Sequence, residues 1–181
     1  MPGEASFEET ATGRNRTDEG WFVLNARDAR WHHAAGRGAR TDLEGDVDFP
    51  QVGVHVCALD PGEPMGMYHW EADQEDFLVV AGEALLLVEG EERPLRRWDF
   101  VHCPPQTDHI IVGAGEGPCV IVAVGAREHE DSDGWGGYPV EQLALDHDAG
   151  VTAGTTDPAV AYASVPRREP TAYRAGWLPG D

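Results

Sequence analysis

The stretch PGEPMGMYHWEADQEDFLVVAGE, residues 61–83, decides how the rest of the chain is read. His69, Glu71 and Glu75 stand close together between two glycine-marked turns, just before the apolar run FLVV. Side chains alternate across a strand, so a strand through YHWE puts His69 and Glu71 on one face. A tight turn at ADQ followed by an antiparallel return brings Glu75 back beside His69. Solubility alone does not require that spacing. A metal site often does.

Outward from this stretch the period-two pattern dominates. In QVGVHVCALDPGE, Val52, Val54 and Val56 point one way, Gly53, His55 and Cys57 the other, and DPG closes the strand. DFLVV, EALLLVEGEER, WDFVHC, HIIVG and PCVIVAVGA follow, separated by Gly, Pro or acidic turns. ALLLV and VIVAV are apolar at every position and are expected to be covered on both faces. An antiparallel sheet closed into a barrel or sandwich meets that demand and removes exposed edges. Residues 1–20 read as a flexible polar arm, 21–127 as the β-barrel, and 128–181 as an acidic linker and extension packing on the barrel or a partner subunit. Trp21, Phe22 and Leu24 are the expected anchors of the first structured segment, and YPVEQLALDHDAG offers one short helix.

Composition narrows the function. The chain carries 13 Arg and no Lys against 33 Asp plus Glu, a formal charge of -20. The absence of lysine removes Schiff-base and P-loop lysine chemistry. The negative balance disfavours nucleic acid and anionic membrane surfaces as partners. Cys57, Cys103 and Cys119 lie far apart in apolar segments, which reads as buried free thiols in a reducing compartment. The first twenty residues lack the basic and apolar regions of a signal peptide, and a cytoplasmic location is expected.

A further ligand candidate stands in HCPPQTDHIIVG, where His109 begins a strand after a proline-stiffened loop. Two imidazoles with one or two carboxylates form a mixed N/O set suited to Fe(II), Mn, Ni, Co or Zn, with positions left for substrate, water or dioxygen. These residues resemble the two motifs of the cupin superfamily. Gly62, His69, Glu71, Glu75 and Gly82 fill the places of the first motif; Asp99, Pro104 and His109 match the second. The departures are specific. Glu71 replaces the second histidine, one extra residue separates Gly62 from His69, and Trp98, Gln106 and Gly113 replace two glycines and an asparagine of the second motif.

The resemblance implies an all-β, cupin-type double-stranded β-helix, a jelly-roll barrel, flanked by an irregular N-terminal arm and a C-terminal tail. It implies one divalent metal ion inside, held by His69, Glu75 and His109, with Glu71 as a further ligand or as a general base. It points to a metal-dependent enzyme, dioxygenase-like or a lyase, isomerase or hydrolase, acting on a small organic molecule. The alternative is a non-catalytic barrel that binds a small molecule or uses its metal structurally; a third reading is a metal-free isomerase with a basic phosphate grip. One fold hosts many chemistries, so the resemblance does not choose among them. A homodimer is expected. His55 reads as a core histidine, His102 as a barrel-wall residue or a group orienting a ligand, Cys103 as packing, and Arg93, Arg96 and Arg97 as partners of surface glutamates.

Overall fold

The computed structural model describes residues 3–130, 132 and 134–180. Strands dominate, in chain order β1 (Phe7–Thr10), β2 (Gly13–Arg16), β3 (Arg30–His33), β4 (Ala39–Asp42), β5 (Val52–Leu59), β6 (Trp70–Glu71) and β7 (Glu75–Ala81). Then come β8 (Glu83–Val88), β9 (Glu91–Arg96), β10 (Phe100–Cys103), β11 (His109–Ala114), β12 (Cys119–Ala126), β13 (Gly136–Gly137) and β14 (Glu169–Thr171). Two short helices, α1 (Gln142–Asp146) and α2 (Pro158–Ala161), lie between the last two strands. The expected helix is α1, and the carboxylate of Glu141 caps it by accepting from the Leu143 N–H.

A seven-stranded sheet of order β10-β7-β12-β5-β4-β3-β14 accompanies a three-stranded sheet of order β11-β8-β9. Phe77, Val79, Leu86, Ile111 and Ile121 meet between them in one buried core. This is the jelly-roll plan, although hydrogen bonding does not run continuously around the barrel. Two-sided burial of ALLLV follows from alternation. Leu86 points into that core, while Leu87 points the other way, onto Tyr68, Ile110, Ala144 and Ala149. Residues from 138 onward therefore supply the cover that the apolar run requires. Farther along, β14 pairs with β3, and Tyr173 and Trp177 pack on the fully buried Trp31.

Two expectations about the N-terminal region are corrected. Residues 7–16 form the hairpin β1–β2 where a flexible, irregular arm was expected. Arg16, only 5% exposed, secures it. Its guanidinium lies over the rings of Phe22 and Phe49 and donates to the carbonyls of Glu44 and Val47. The anchor is a cation between aromatic faces, which a search for apolar periodicity passes over. Trp21 is 55% exposed and anchors little; Trp31 takes that role.

The motif departures also find their reason. Gly82 turns β7 into β8 at φ 71, where a Cβ would lie 2.5 Å from the Pro118 carbonyl oxygen. Trp98 and Gln106 stand where the family pattern has glycines, and the backbone keeps the left-handed conformation, with φ 78 and 66. Each costs on the order of 1–2 kcal/mol relative to a glycine in the same conformation. At Gly113 a Cβ would meet the Asp60 carbonyl oxygen at 2.2 Å, so no asparagine fits there.

Candidate functional site

The histidine pair is assembled by backbone. His69 lies one residue before β6, not within a strand shared with Glu71 as the sequence suggested. It forms an isolated antiparallel bridge with His109, His69 N–H to His109 O at 3.1 Å and His109 N–H to His69 O at 2.8 Å. That reciprocal pair places the two side chains opposite each other, ring centroids 5.1 Å apart. Glu75 opens β7 and points at the same place, beside Gly125 of β12, whose missing side chain leaves the carboxylate room.

The hydrogen bonds decide what these imidazoles offer. His69 Nδ1 lies 2.8 Å from the Met67 carbonyl oxygen, and His109 Nδ1 lies 2.9 Å from that of Thr107. A carbonyl only accepts, so Nδ1 carries the proton in both rings, and in the neutral form each Nε2 keeps its lone pair for the cavity. Glu75 Oε2 is 3.2 Å from His109 Nε2 and 3.6 Å from His69 Nε2. Yet His109 Nε2 and Glu75 Oε2 are buried without an aligned hydrogen-bond partner. Burial opposes charge on His109, but Cys103 and Glu75 outweigh it and push the imidazole up to about 10. Burial alone would raise Glu75; His109 and His69 hold it below its ordinary value. The carboxylate demands a positive charge at this point, which a proton or a cation supplies.

Of the four expected ligands, His69, Glu75 and His109 bring donor atoms within 4.8 Å of one another. Glu71 approaches His69 Nε2 at 3.4 Å and stands at the side of that cluster. Its backbone is fixed by pairing with Gly136 and by the Gln106 N–H, which donates to its carbonyl at 2.7 Å. All but the enclosed His109 border a cavity of about 360 Å³ between the sheets. The donor set fits a divalent ion of borderline character: two neutral imidazoles, one carboxylate, and a second carboxylate in reserve.

The sequence did not flag several residues of this cavity. Tyr138 stacks on the His69 ring, centroids 5.9 Å apart and planes 20° from parallel; burial and the nearby Tyr162 raise its phenol. Gly137 before it is obligatory, since a Cβ there would lie 2.7 Å from the Trp70 indole nitrogen. The only advance signal was an aromatic in the glycine-rich segment GWGGYP. Arg40 and Arg127 also line the cavity. Arg127 is held by Glu44 through two contacts of 2.7 and 2.9 Å and by Glu130 at 3.2 Å. His55, expected in the core, faces the cavity and donates from Nδ1 to the Thr41 carbonyl at 3.0 Å; burial and Arg40 depress its pKa. His102 is exposed and pairs with Asp76, so it neither lines the barrel nor orients a ligand. Arg93 pairs with Glu91 on the exposed β9. Cys57, Cys103 and Cys119 are free and buried; burial pushes Cys57 and Cys119 up to about 11.

A double-stranded barrel with a His/Glu/His cluster inside defines a class. Residues 55–125 match the Cupin domain family, so the barrel part of the chain is a cupin domain. Solved structures similar to it include a putative sugar phosphate isomerase from Acidithiobacillus ferrooxidans, 27% identical, with 53% of this chain and 66% of that one covered and a TM-score of 0.47. A sugar phosphate isomerase of the cupin superfamily from Silicibacter pomeroyi is 25% identical over 56% and 62% of the two chains, with a TM-score of 0.44. The chain thus spans less than two thirds of the length of either. The polyketide cyclase RemF from Streptomyces resistomycificus is 12% identical over 59% and 79%, with a TM-score of 0.51, a likeness of fold alone. No curated protein matches the chain. No helix among the described residues is long and apolar enough to cross a membrane.

Proposed function

We propose that this cupin is a metal-dependent enzyme acting on a small organic molecule bound in the cavity. His69, Glu75 and His109 hold one divalent ion, and Glu71 joins them or serves as the general base. One observation carries the reading: both imidazoles spend Nδ1–H on backbone carbonyls, and a buried carboxylate completes the set with unsatisfied atoms. Backbone-fixed tautomers of this kind are how proteins present histidines to metals. The ion supplies Lewis acidity toward a carbonyl or enolate oxygen, or dioxygen chemistry if it is redox-active. Around it, Tyr138 packs against the His69 ring and keeps it oriented. Glu71, 3.4 Å from His69, is placed to take a proton from a substrate entering beside the cluster. The cavity, at about 360 Å³, is of the size that small-metabolite sites have.

Elemental analysis of tag-free protein tests the proposal. One equivalent of Fe, Mn, Ni, Co or Zn in the parent and none in folded His109→Ala supports it. No metal in the parent after reconstitution sinks it and leaves a barrel that binds a small molecule without catalysis. A cytoplasmic location and a homodimer belong to the same proposal. Three buried thiols suit a reducing compartment. At the sheet edge formed by β10, Trp98 and Phe100 are 63% and 64% exposed. Sedimentation is expected to give a dimer that Phe100→Asp turns into a monomer; a monomeric parent removes the dimer from the proposal.

A further inference from the structure

We infer that the cavity takes an anionic molecule, whose carboxylate or phosphate is gripped by Arg40 at the end remote from His69, Glu75 and His109. The inference rests on the reading of this cavity as the substrate site and adds the chemical class of the substrate.

The argument begins with charge. In a chain of net charge -20, an arginine finds a carboxylate easily. Arg14 pairs with Glu9, Arg30 with Asp42, Arg93 with Glu91 and Arg127 with Glu44. Arg40 lines the cavity, and its side chain makes no ion pair or hydrogen bond among the described residues. An exposed arginine by itself would be solvated surface. The surroundings of Arg40 make it different.

Arg40 pairs across the sheet with Cys57, whose side chain also lines the cavity, and His55 stands two residues before Cys57 on the same face. Beside them is Arg168, which donates to the neutral carbonyls of Arg37 and Met65 at 2.7 Å each, while its Nε is buried with no partner. Arg37 likewise donates only to carbonyls, those of Gly66 and Asp148. Three guanidinium groups are therefore gathered with no carboxylate engaged by any of them. Burial first, then the charges of Arg40 and more weakly Arg37, depress the Arg168 pKa against the opposing effect of Cys57 and Tyr162. Burial depresses the pKa of His32 and His55, and Arg40 adds to the shift in both; Asp42, which opposes it at His32, is itself paired with Arg30.

The contrast with Arg127 sharpens the assignment. Both arginines line one cavity, but Arg127 is closed by two glutamates and Arg40 by none. Arg40 and Glu75 are separated by β12 and β5 in the sheet order, three strand intervals or roughly 14 Å of sheet width. A molecule with an anionic group on Arg40 thus reaches the His/Glu cluster with its other end. A planar guanidinium with free donors suits carboxylate and phosphate alike.

Titration with inorganic phosphate, acetate and uncharged glucose tests the inference, followed by calorimetry and by the Arg40 Nε–H NMR signal. Phosphate or acetate is expected to saturate in the millimolar range and to shift that signal, and glucose to do neither. Arg40→Met is expected to weaken anion binding about tenfold or more, as loss of a charge-assisted hydrogen bond does. Arg97→Met, outside the cavity, leaves it unchanged. Whichever anion binds more tightly identifies the substrate group. Equal affinity in Arg40→Met, or no saturable binding, overturns the inference. Repeating the titration on metal-stripped protein separates the two readings. Arg40-dependent binding that survives stripping supports the anion subsite whether or not a metal is native. Binding that disappears with the metal places the anion on the metal and overturns the subsite alone.

Discussion

Two clusters of histidine and carboxylate among the described residues are compact enough for a metal ion, and they differ in what their donor atoms are already doing. At His69, Glu75 and His109 the outer ring nitrogens are spent on backbone carbonyls and the inner ones are left over. At Asp73, Glu128 and His129 the Asp73 carboxylate already accepts two hydrogen bonds from His129, and the cluster lies at the surface. His129 Nδ1 donates to Asp73 at 2.6 Å, and the His129 backbone N–H donates to the other Asp73 oxygen at 2.7 Å. His109 is 2% exposed while the His129 side chain is 50% exposed. Proximity of ligand types is therefore insufficient. A binding site needs lone pairs with nothing else to do, held where water does not satisfy them.

The largest expected effect comes from emptying the first cluster. His109→Ala should weaken metal binding by more than the ~10–100-fold that losing an outer-shell partner costs, whereas His129→Ala should leave metal content at the parent level. Equal metal loss in both variants would break the distinction. The next test moves to a charge that the fold does satisfy. Glu44, 6% exposed, closes Arg127 and accepts the Phe49 N–H. Glu44→Ala should cost about 2 kcal/mol by leaving the partly buried Arg127 guanidinium with only Glu130 and the Phe49 carbonyl, a fall in Tm of roughly 4–8 °C. Arg40→Met, which removes a charge without a partner, should leave Tm nearly unchanged in the same scan.

Smaller effects probe the backbone around the first cluster. Gln106→Gly should stabilise the protein by about 0.5–1 kcal/mol, because relief of the left-handed strain exceeds the added freedom of the unfolded glycine. A loss of stability in chemical denaturation would mean that the Gln106 side chain contributes something its backbone does not. The smallest effect lies at the surface pair. The Asp73 side chain raises the His129 pKa above 6.5, so this contribution is full below that value and fades as pH rises through the raised pKa. Burial alone would raise Asp73, but its bonds to His129 hold it below 3.8, so its contribution is full above that value and fades in acid. The difference in Tm between parent and His129→Ala should be slight, and widest between about pH 4 and 6.5. A difference that grows toward alkaline pH would contradict the assigned pair.

Much of the barrel was legible because alternation is a local property. Val52–Leu59, the DFLVV and ALLLV runs and Cys119–Ala126 are strands where the pattern puts them. The three converging residues His69, Glu75 and His109 were legible for another reason: their motif spacing is short and their turns are marked by Gly and Pro. The strand shared by His69 and Glu71 was misread, because His69 is placed by a bridge to His109, forty residues away in the chain. Arg16 was missed because its burial is purchased by two aromatic rings and two carbonyls contributed from distant segments. Tyr138 and Arg40 carried no motif at all.

The sequence by itself determined the class of fold, the candidate donor residues and the excess of negative charge. Those depend on side-chain period, on residue type and on turns of a few residues. Only the tertiary structure decided which groups remain unsatisfied. Whether a nitrogen of His109 is free, whether Arg127 is neutralised and Arg40 is not, and what covers Leu87 all depend on contacts between segments far apart in the chain. Hydrogen bonding and charge compensation act over a few ångströms in space and are blind to separation along the sequence.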